Sequence, residues 1–192
     1  TNELVHFPDI TAPGAWNVVA GGTASFYAGD FLLGDFSQLY IIDDVNNFFT
    51  LDTATGMQTA IGTSTPVGAE SWTGMTGAAD GTLYASSAAC GVSSTLYTID
   101  PGSGAASPIG PITGATCIID IAINPAGEMY GVDIVTDTLF MIDPSTGTAG
   151  PIGSTGIDAN YAQGMDFDDV SGTLYWASFN NGAFLGEMRV LD

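Results

Sequence analysis

An all-β fold built from four copies of one four-stranded unit is predicted by three observations. The segment Leu96-Tyr97-Thr98-Ile99-Asp100-Pro101-Gly102-Ser103-Gly104, leading to Ile109-Gly110, recurs as Leu139-Phe140-Met141-Ile142-Asp143-Pro144-Ser145-Thr146-Gly147, leading to Ile152-Gly153. A weaker copy, Phe48 to Gly56, leads to Ile61-Gly62, and in all three a Gly follows the Asp by four residues and the Ile-Gly pair by nine and ten. A Leu-Tyr or Met-Tyr pair marks each unit at Tyr40, Tyr84, Tyr130 and Tyr175, spaced 44, 46 and 45 apart. No stretch carries a helical stripe free of Gly and Pro. A repeat of about 45 residues holding four short strands has the period and content of a β-propeller blade. The expectation is a β-propeller, or an open propeller-like array, of about four four-stranded units.

The elements follow in chain order, with strands a to d in each unit. Residues 1 to 22 form an arm with half a blade's content: a c-like strand at Leu4 to Asp9 and a d-like strand at Trp16 to Gly21, broken by Pro8 and Pro13. Unit one spans about 23–62, with the apolar Phe26 to Leu33 as strand a. Unit two, about 63–110, opens on Trp72 and Met75; unit three, about 111–153, on Ile118 to Ile123. Unit four, about 154–192, has Met165 to Phe167 as a, Leu174 to Trp176 as b and Glu187 to Asp192 as c, with no strand d of its own. Units one to four are read as one domain. Within a unit the Asp-Pro-x-x-Gly pattern explains the c–d turn. Asp bonds back to the backbone, Pro fixes φ, and Gly accepts positive φ.

Composition excludes several functions. The 21 acidic residues face one arginine and no lysine, a net charge of −20. Phosphate-backbone binding needs several cations, so nucleic acid is excluded, as is attraction to an anionic membrane. Without lysine there is no P-loop and no Schiff base. No run approaches the roughly 18 apolar residues of a membrane span, so no insertion is expected. The chain opens on Thr1 without a signal-peptide pattern and reads as a processed product. Cys90, in a b–c connection, and Cys117, where the next strand a begins, emerge on the same propeller face and are expected to form a disulfide.

The repeat Leu-Tyr-x-Ile-Asp-Pro-x-Thr-Gly…Ile-Gly, clearest at 96–110 and 139–153, resembles those of secreted bacterial and archaeal β-propellers of the YVTN-type surface-layer and NHL-like families. The likeness covers most of residues 23 to 192. It implies an extracellular or cell-surface propeller, serving as ligand binder, adhesin, scaffold or occasionally enzyme. Closed members usually carry more units than four.

Candidate sites are few. His6 is the sole histidine, lies in the arm and has no GxSxG partner, which argues against a Ser-His-Asp triad. One histidine and two cysteines exclude a zinc-type site. Glu3, Glu70, Glu128 and Glu187 fall in the arm or at strand and turn edges. Asp52, Asp100, Asp143 and Asp192 hold the repeat position and read as turn formers. A glycosidase-like carboxylate pair, such as Asp120 with Asp166, stays open. The loop Asp166 to Gly172 has a calcium-loop flavour, but Val170 stands where an oxygen ligand is needed, and a turn is the plainer reading. Tyr97, Tyr130, Tyr175 and Trp176 suit either a sugar groove or the core between blades. Aligned on their tyrosines, the units put Asp30, Gly74, Asp120 and Gly164 at one position of strand a. Asp30 and Asp120 then face each other across the axis, as ligands for a structural calcium or as local amide acceptors.

The functional expectation is a non-enzymatic extracellular structural protein that assembles with itself, as a filament joined by strand donation from the arm. Leu4, Phe7, Trp16 and Val18 of the arm and Met188 and Val190 of the last strand are the assembly residues. The alternatives are latching of the arm within one chain, a propeller that binds a small ligand, glycan or protein on one face, and, less favoured, a hydrolase.

Overall fold

A computed structural model describes residues 3–10, 14–21 and 25–192. Thr1, Pro13 and the boundary expected at 22/23 lie outside the described residues. Four antiparallel sheets form four propeller blades, and there is no helix among the described residues. Two strands precede the blades, β1 (Glu3–His6) and β2 (Asn17–Gly21). Blade 1 is β3 (Phe26–Asp30), β4 (Gln38–Asp43), β5 (Asn47–Asp52) and β6 (Gln58–Thr63). Blade 2 is β7 (Ser71–Gly77), β8 (Leu83–Ala89), β9 (Ser93–Ile99) and β10 (Ala106–Pro111). Blade 3 is β11 (Ile118–Ile123), β12 (Met129–Asp133), β13 (Thr138–Ile142) and β14 (Ala149–Ser154). Blade 4 has three strands, β15 (Gly164–Asp168), β16 (Thr173–Asn180) and β17 (Leu185–Leu191).

The repeat aspartates close the c–d turns. Asp52 Oδ1 accepts the amides of Ala54 and Thr55, Asp100 Oδ1 that of Gly102, and Asp143 Oδ1 that of Ser145. The Gly four residues on, at 56, 104 and 147, takes positive φ in each turn. A bulge breaks both the a–b and the c–d pairing in blades 1 to 3. Blade 4 pairs without one.

Alternating strand residues bury apolar side chains on both faces of the sheets of blades 1 to 3 and on one face of blade 4, and the core lies in the seams between blades. Ile42 and Phe48 meet Trp72, Met75 and Tyr97 between blades 1 and 2. Leu96 and Ile112 meet Ile121, Met129 and Phe140 between blades 2 and 3. Val132 and Leu139 meet Met165, Leu174 and Trp176 between blades 3 and 4. The other face of blade 1, with Ile41, Phe49 and Leu51, is covered by Leu4 of β1. Among the described residues no apolar cluster joins blade 4 to blade 1.

The N-terminal strands pair with each other, β2 antiparallel to β1. Among the described residues the latch to the last strand within one chain is thus not formed, and β17 pairs with β16 alone. Leu4 is half-buried against blade 1, while Phe7, Trp16 and Val18 are exposed.

Candidate functional site

The inner strands carry oxygens that clasp the next blade. Asp30 Oδ1 accepts the amide of Phe31 at 2.7 Å, and its Oδ2 accepts Gly77 N of blade 2 at 2.8 Å. Thr76 Oγ1 accepts Ile123 N of blade 3 at 3.1 Å. Asp120 Oδ1 accepts Ile121 N at 2.8 Å, and its Oδ2 accepts Met165 N of blade 4 at 2.7 Å. Asp166 Oδ1 accepts Phe167 N at 2.8 Å. Among the described residues its Oδ2 has no such partner across a seam.

Register separates the acids that the tyrosine alignment placed together. Asp30 pairs with Tyr40 and Asp166 with Tyr175, so these two share a level. Asp120 pairs with Val132, two residues beyond Tyr130, on a level with Ala28, Gly74 and Gly164. The cause is loop length. The a–b connections run over 31–37, 78–82, 124–128 and 169–172, so a fixed count back from each tyrosine reaches different depths. Asp30 and Asp120 therefore stand at different levels of the axis, with the charge of Asp30 still adding to the upward shift of Asp120. Among the described residues no group of three or more His, Cys, Asp or Glu is arranged to hold a metal ion.

A cavity of about 700 Å³ opens at the a–b end of the axis, and all four blades line it. Asp30, Asp166, Asp168 and Asp169 supply its charge, Phe31 and Phe36 part of its apolar wall, and no basic side chain lines it. Burial, with the charge of Asp166, raises Asp30 to about 7. Burial raises Asp166 to about 6, although its side chain still reaches solvent at the mouth. Burial pushes Asp120 well up against the two amides that hold it down. A second space of about 240 Å³ lies between Tyr27, Gly29 and Leu39 of blade 1 and Gln163 and Gly164 preceding and opening β15. Gln163 Oε1 is buried there without a hydrogen-bond partner among the described residues.

These shifts set the pH dependence. A carboxyl whose folded pKa is raised holds its proton more tightly folded than unfolded. Its stabilising effect is complete below the unfolded value of 3.8 and is lost as pH rises through about 6 and about 7 for Asp166 and Asp30. Hydrogen bonds depress Asp52, Asp100 and Asp143, so their contribution is lost only as pH falls below the ordinary carboxylate range. The thermal midpoint is expected to be higher at about pH 5 than at about pH 8 by several degrees. Asp30→Asn should flatten that difference, and a midpoint that rises toward pH 8 would contradict the assignment.

Apart from Asp168 at the cavity mouth, the remaining candidate residues sit away from the axis. His6 is exposed on β1. Tyr97 is fully buried, its hydroxyl accepting Val67 N; Tyr130 packs on Phe167; Trp176 is fully buried. These three fill seams, whereas Tyr175 lies half-buried on the free face of blade 4. Asp168 accepts Val170 N and the Ser171 hydroxyl, closing a turn rather than opening an oxygen cage. Cys90 and Cys117 are joined in a disulfide. Beside it Asp133, which sequence reasoning did not single out, accepts the amides of Thr116 and Cys117. Glu70 gathers the hydroxyls of Ser87, Ser93 and Thr95 onto one carboxylate, a convergence that its isolated place in the sequence does not signal.

No curated protein matches the chain. Among solved structures it is similar to regucalcin, a calcium-binding protein from Agrobacterium tumefaciens, at 23% identity and TM-score 0.55 over 88% of this chain and 58% of that one. It is also similar to a chain of a nidogen–laminin complex, at 16% identity and TM-score 0.62 over 92% and 68%, and to the PQQ-bound aldose sugar dehydrogenase of Streptomyces coelicolor, at 16% and 0.55 over 91% and 62%. At such identities the likeness shows the propeller fold alone, and the chain spans little more than half the length of the regucalcin it matches. Residues 44–186 match the DUF6923 family, described as a repeat of unknown function, and the chain therefore belongs to that family.

Proposed function

We propose that the chain is a non-enzymatic structural protein of the cell exterior that assembles with copies of itself through blade 4. The outer edge of β17 carries this reading. It is the edge of a three-stranded sheet, seven residues long, with no bulge and no proline. The outer strands of blades 2 and 3 carry Pro108, Pro111 and Pro151 together with bulges, devices that blunt an edge against strand addition. On the next-facing side of blade 4, Tyr175, Met188 and Val190 have no blade against them, although the matching Tyr40, Tyr84 and Tyr130 each pack into a seam. The donor is the β1–β2 hairpin of a second copy, which brings the exposed Phe7, Trp16 and Val18. It adds its free edge to β17 while Leu4 stays on its own blade 1. Head-to-tail contact of this kind continues as a filament unless its rotation closes. The disulfide fits an oxidising exterior, as does the resemblance of the Asp-Pro-x-Thr-Gly repeats to surface-layer propellers.

Prolines test the edge. Neighbouring strand residues point their amides to opposite sides, so one of Met188→Pro and Arg189→Pro removes an outward N–H and leaves the β16 pairing intact. In salt sufficient to screen the charge of −20, sedimentation velocity should show the unaltered chain growing with concentration and that variant monomeric, with unchanged circular dichroism. A chain that stays monomeric at high concentration, or assembly by both variants, rules the reading out.

A further inference from the structure

Three seams of the ring are clasped by the same device, an inner-strand oxygen that accepts an amide of the following blade: Asp30 with Gly77, Thr76 with Ile123, and Asp120 with Met165. Blade 4 carries the matching group in Asp166, with one oxygen engaged by Phe167 N of its own strand, as Asp30 and Asp120 engage Phe31 N and Ile121 N. The strand that would complete the fourth clasp is β3. There the matching amide, Phe31 N, is already held by Asp30 Oδ1, and the residue level with Asp166 is Asp30 itself. The ring-closing seam thus sets carboxylate toward carboxylate where the others set carboxylate or hydroxyl toward amide. Among the described residues it also lacks the apolar cluster that fills each of the other three seams.

We propose that Asp30 and Asp166 make the seam between blades 4 and 1 a proton-controlled closure. When one of the two is protonated, its O–H donates to the other's carboxylate across the seam and draws the blades together. When both are ionised they repel, no basic side chain among the described lining residues offsets them, and the seam widens. The surroundings leave the decision to this pair. From β15 and its turn Asp168 and Asp169 add negative charge, while Asp120 on β11, one level away, is itself pushed well up by burial and so toward its neutral form. The Gly77 to Ala79 segment and the Ile123 to Pro125 segment contribute neutral groups. Two like carboxyls in one low-dielectric site share a proton rather than both ionising. The upward shifts of both groups put the transition near neutral pH. The closure does not depend on self-association.

Spin labels across the mouth read it directly. Phe36 and Val170 are exposed, line the cavity from blades 1 and 4, and belong to neither the acid pair nor a seam. Nitroxides on Phe36→Cys and Val170→Cys, spin-diluted with unlabelled protein so that only intramolecular pairs count, are measured by double electron–electron resonance in chelator. The distance distribution should shift to shorter values on going from alkaline to mildly acidic pH. Added Asp166→Asn, whose amide can donate to Asp30 at any pH, should hold the short distance throughout. A distribution that does not move with pH overturns the proposal, and so does a pH shift that survives unchanged in Asp166→Asn. Circular dichroism of each variant confirms that the fold is retained.

Discussion

Gly74→Ala is expected to yield little or no folded protein. A Cβ at Gly74 would fall on the Asp120 carboxylate and within 2.7 Å of Asp120 Cα and 2.9 Å of Ile121 N. Backbone of β11 cannot retreat without opening the seam between blades 2 and 3. The displaced Asp120 would also release Ile121 N and Met165 N, which it holds at 2.8 and 2.7 Å, so the seam to blade 4 fails with it. Overpacking costs about 1–3 kcal/mol and each buried amide left without its acceptor about 1–3. Together these approach the whole stability of a domain, about 5–15 kcal/mol. Gly150→Ala is the matched control, since nothing lies within 4 Å of its added methyl. Urea titration should give Gly150→Ala an unchanged midpoint. A Gly74→Ala midpoint equally unchanged would show that the two inner strands do not approach as described.

Trp176→Ala is expected to cost about 3–5 kcal/mol, the range for emptying a fully buried aromatic site. Trp176 is completely buried in the seam between blades 3 and 4, against Val132, Leu139 and Met165. Its indole nitrogen is buried with no hydrogen-bond partner among the described residues. Removing that N–H while keeping an aromatic ring relieves an unmet desolvation cost of about 1–3 kcal/mol. Trp176→Phe should therefore sit much nearer the unaltered protein than Trp176→Ala in chemical denaturation. If the two variants lose stability equally, the ring is not what fills the seam.

The blades were legible because their turns are chemically demanding. Only a short side-chain acceptor at Asp52, Asp100 and Asp143 closes the turn amides, and only glycine adopts the positive φ that follows without strain. Such residues recur at fixed spacing and survive divergence of everything between them. The level of a side chain along the axis was not legible. It depends on the length of the a–b connection, seven residues in 31–37 against five in 124–128, which no residue type marks. Asp30 was accordingly paired with Asp120 instead of Asp166. The hydroxyl cluster on Glu70 was invisible for a different reason: its partners arrive from β8 and β9, 17 to 25 residues away. The fate of the arm was half legible, since two strands were readable but not that they would pair with each other against blade 1.

The seams are not shared equally among the blades. Blades 2 and 3 each bury both faces, blade 1 buries one face under a blade and the other under Leu4, and blade 4 buries only one. In an array whose units touch only their neighbours, opening free energy is close to a sum over the interfaces a unit must break. Blade 4 must break one. Its amides, in β15 to β17, should exchange with solvent deuterium through a partial opening that leaves the first three blades protected. The molecule would then behave as two cooperative units of unequal strength within a single fold, with the weaker one carrying the edge and the acid that face outward.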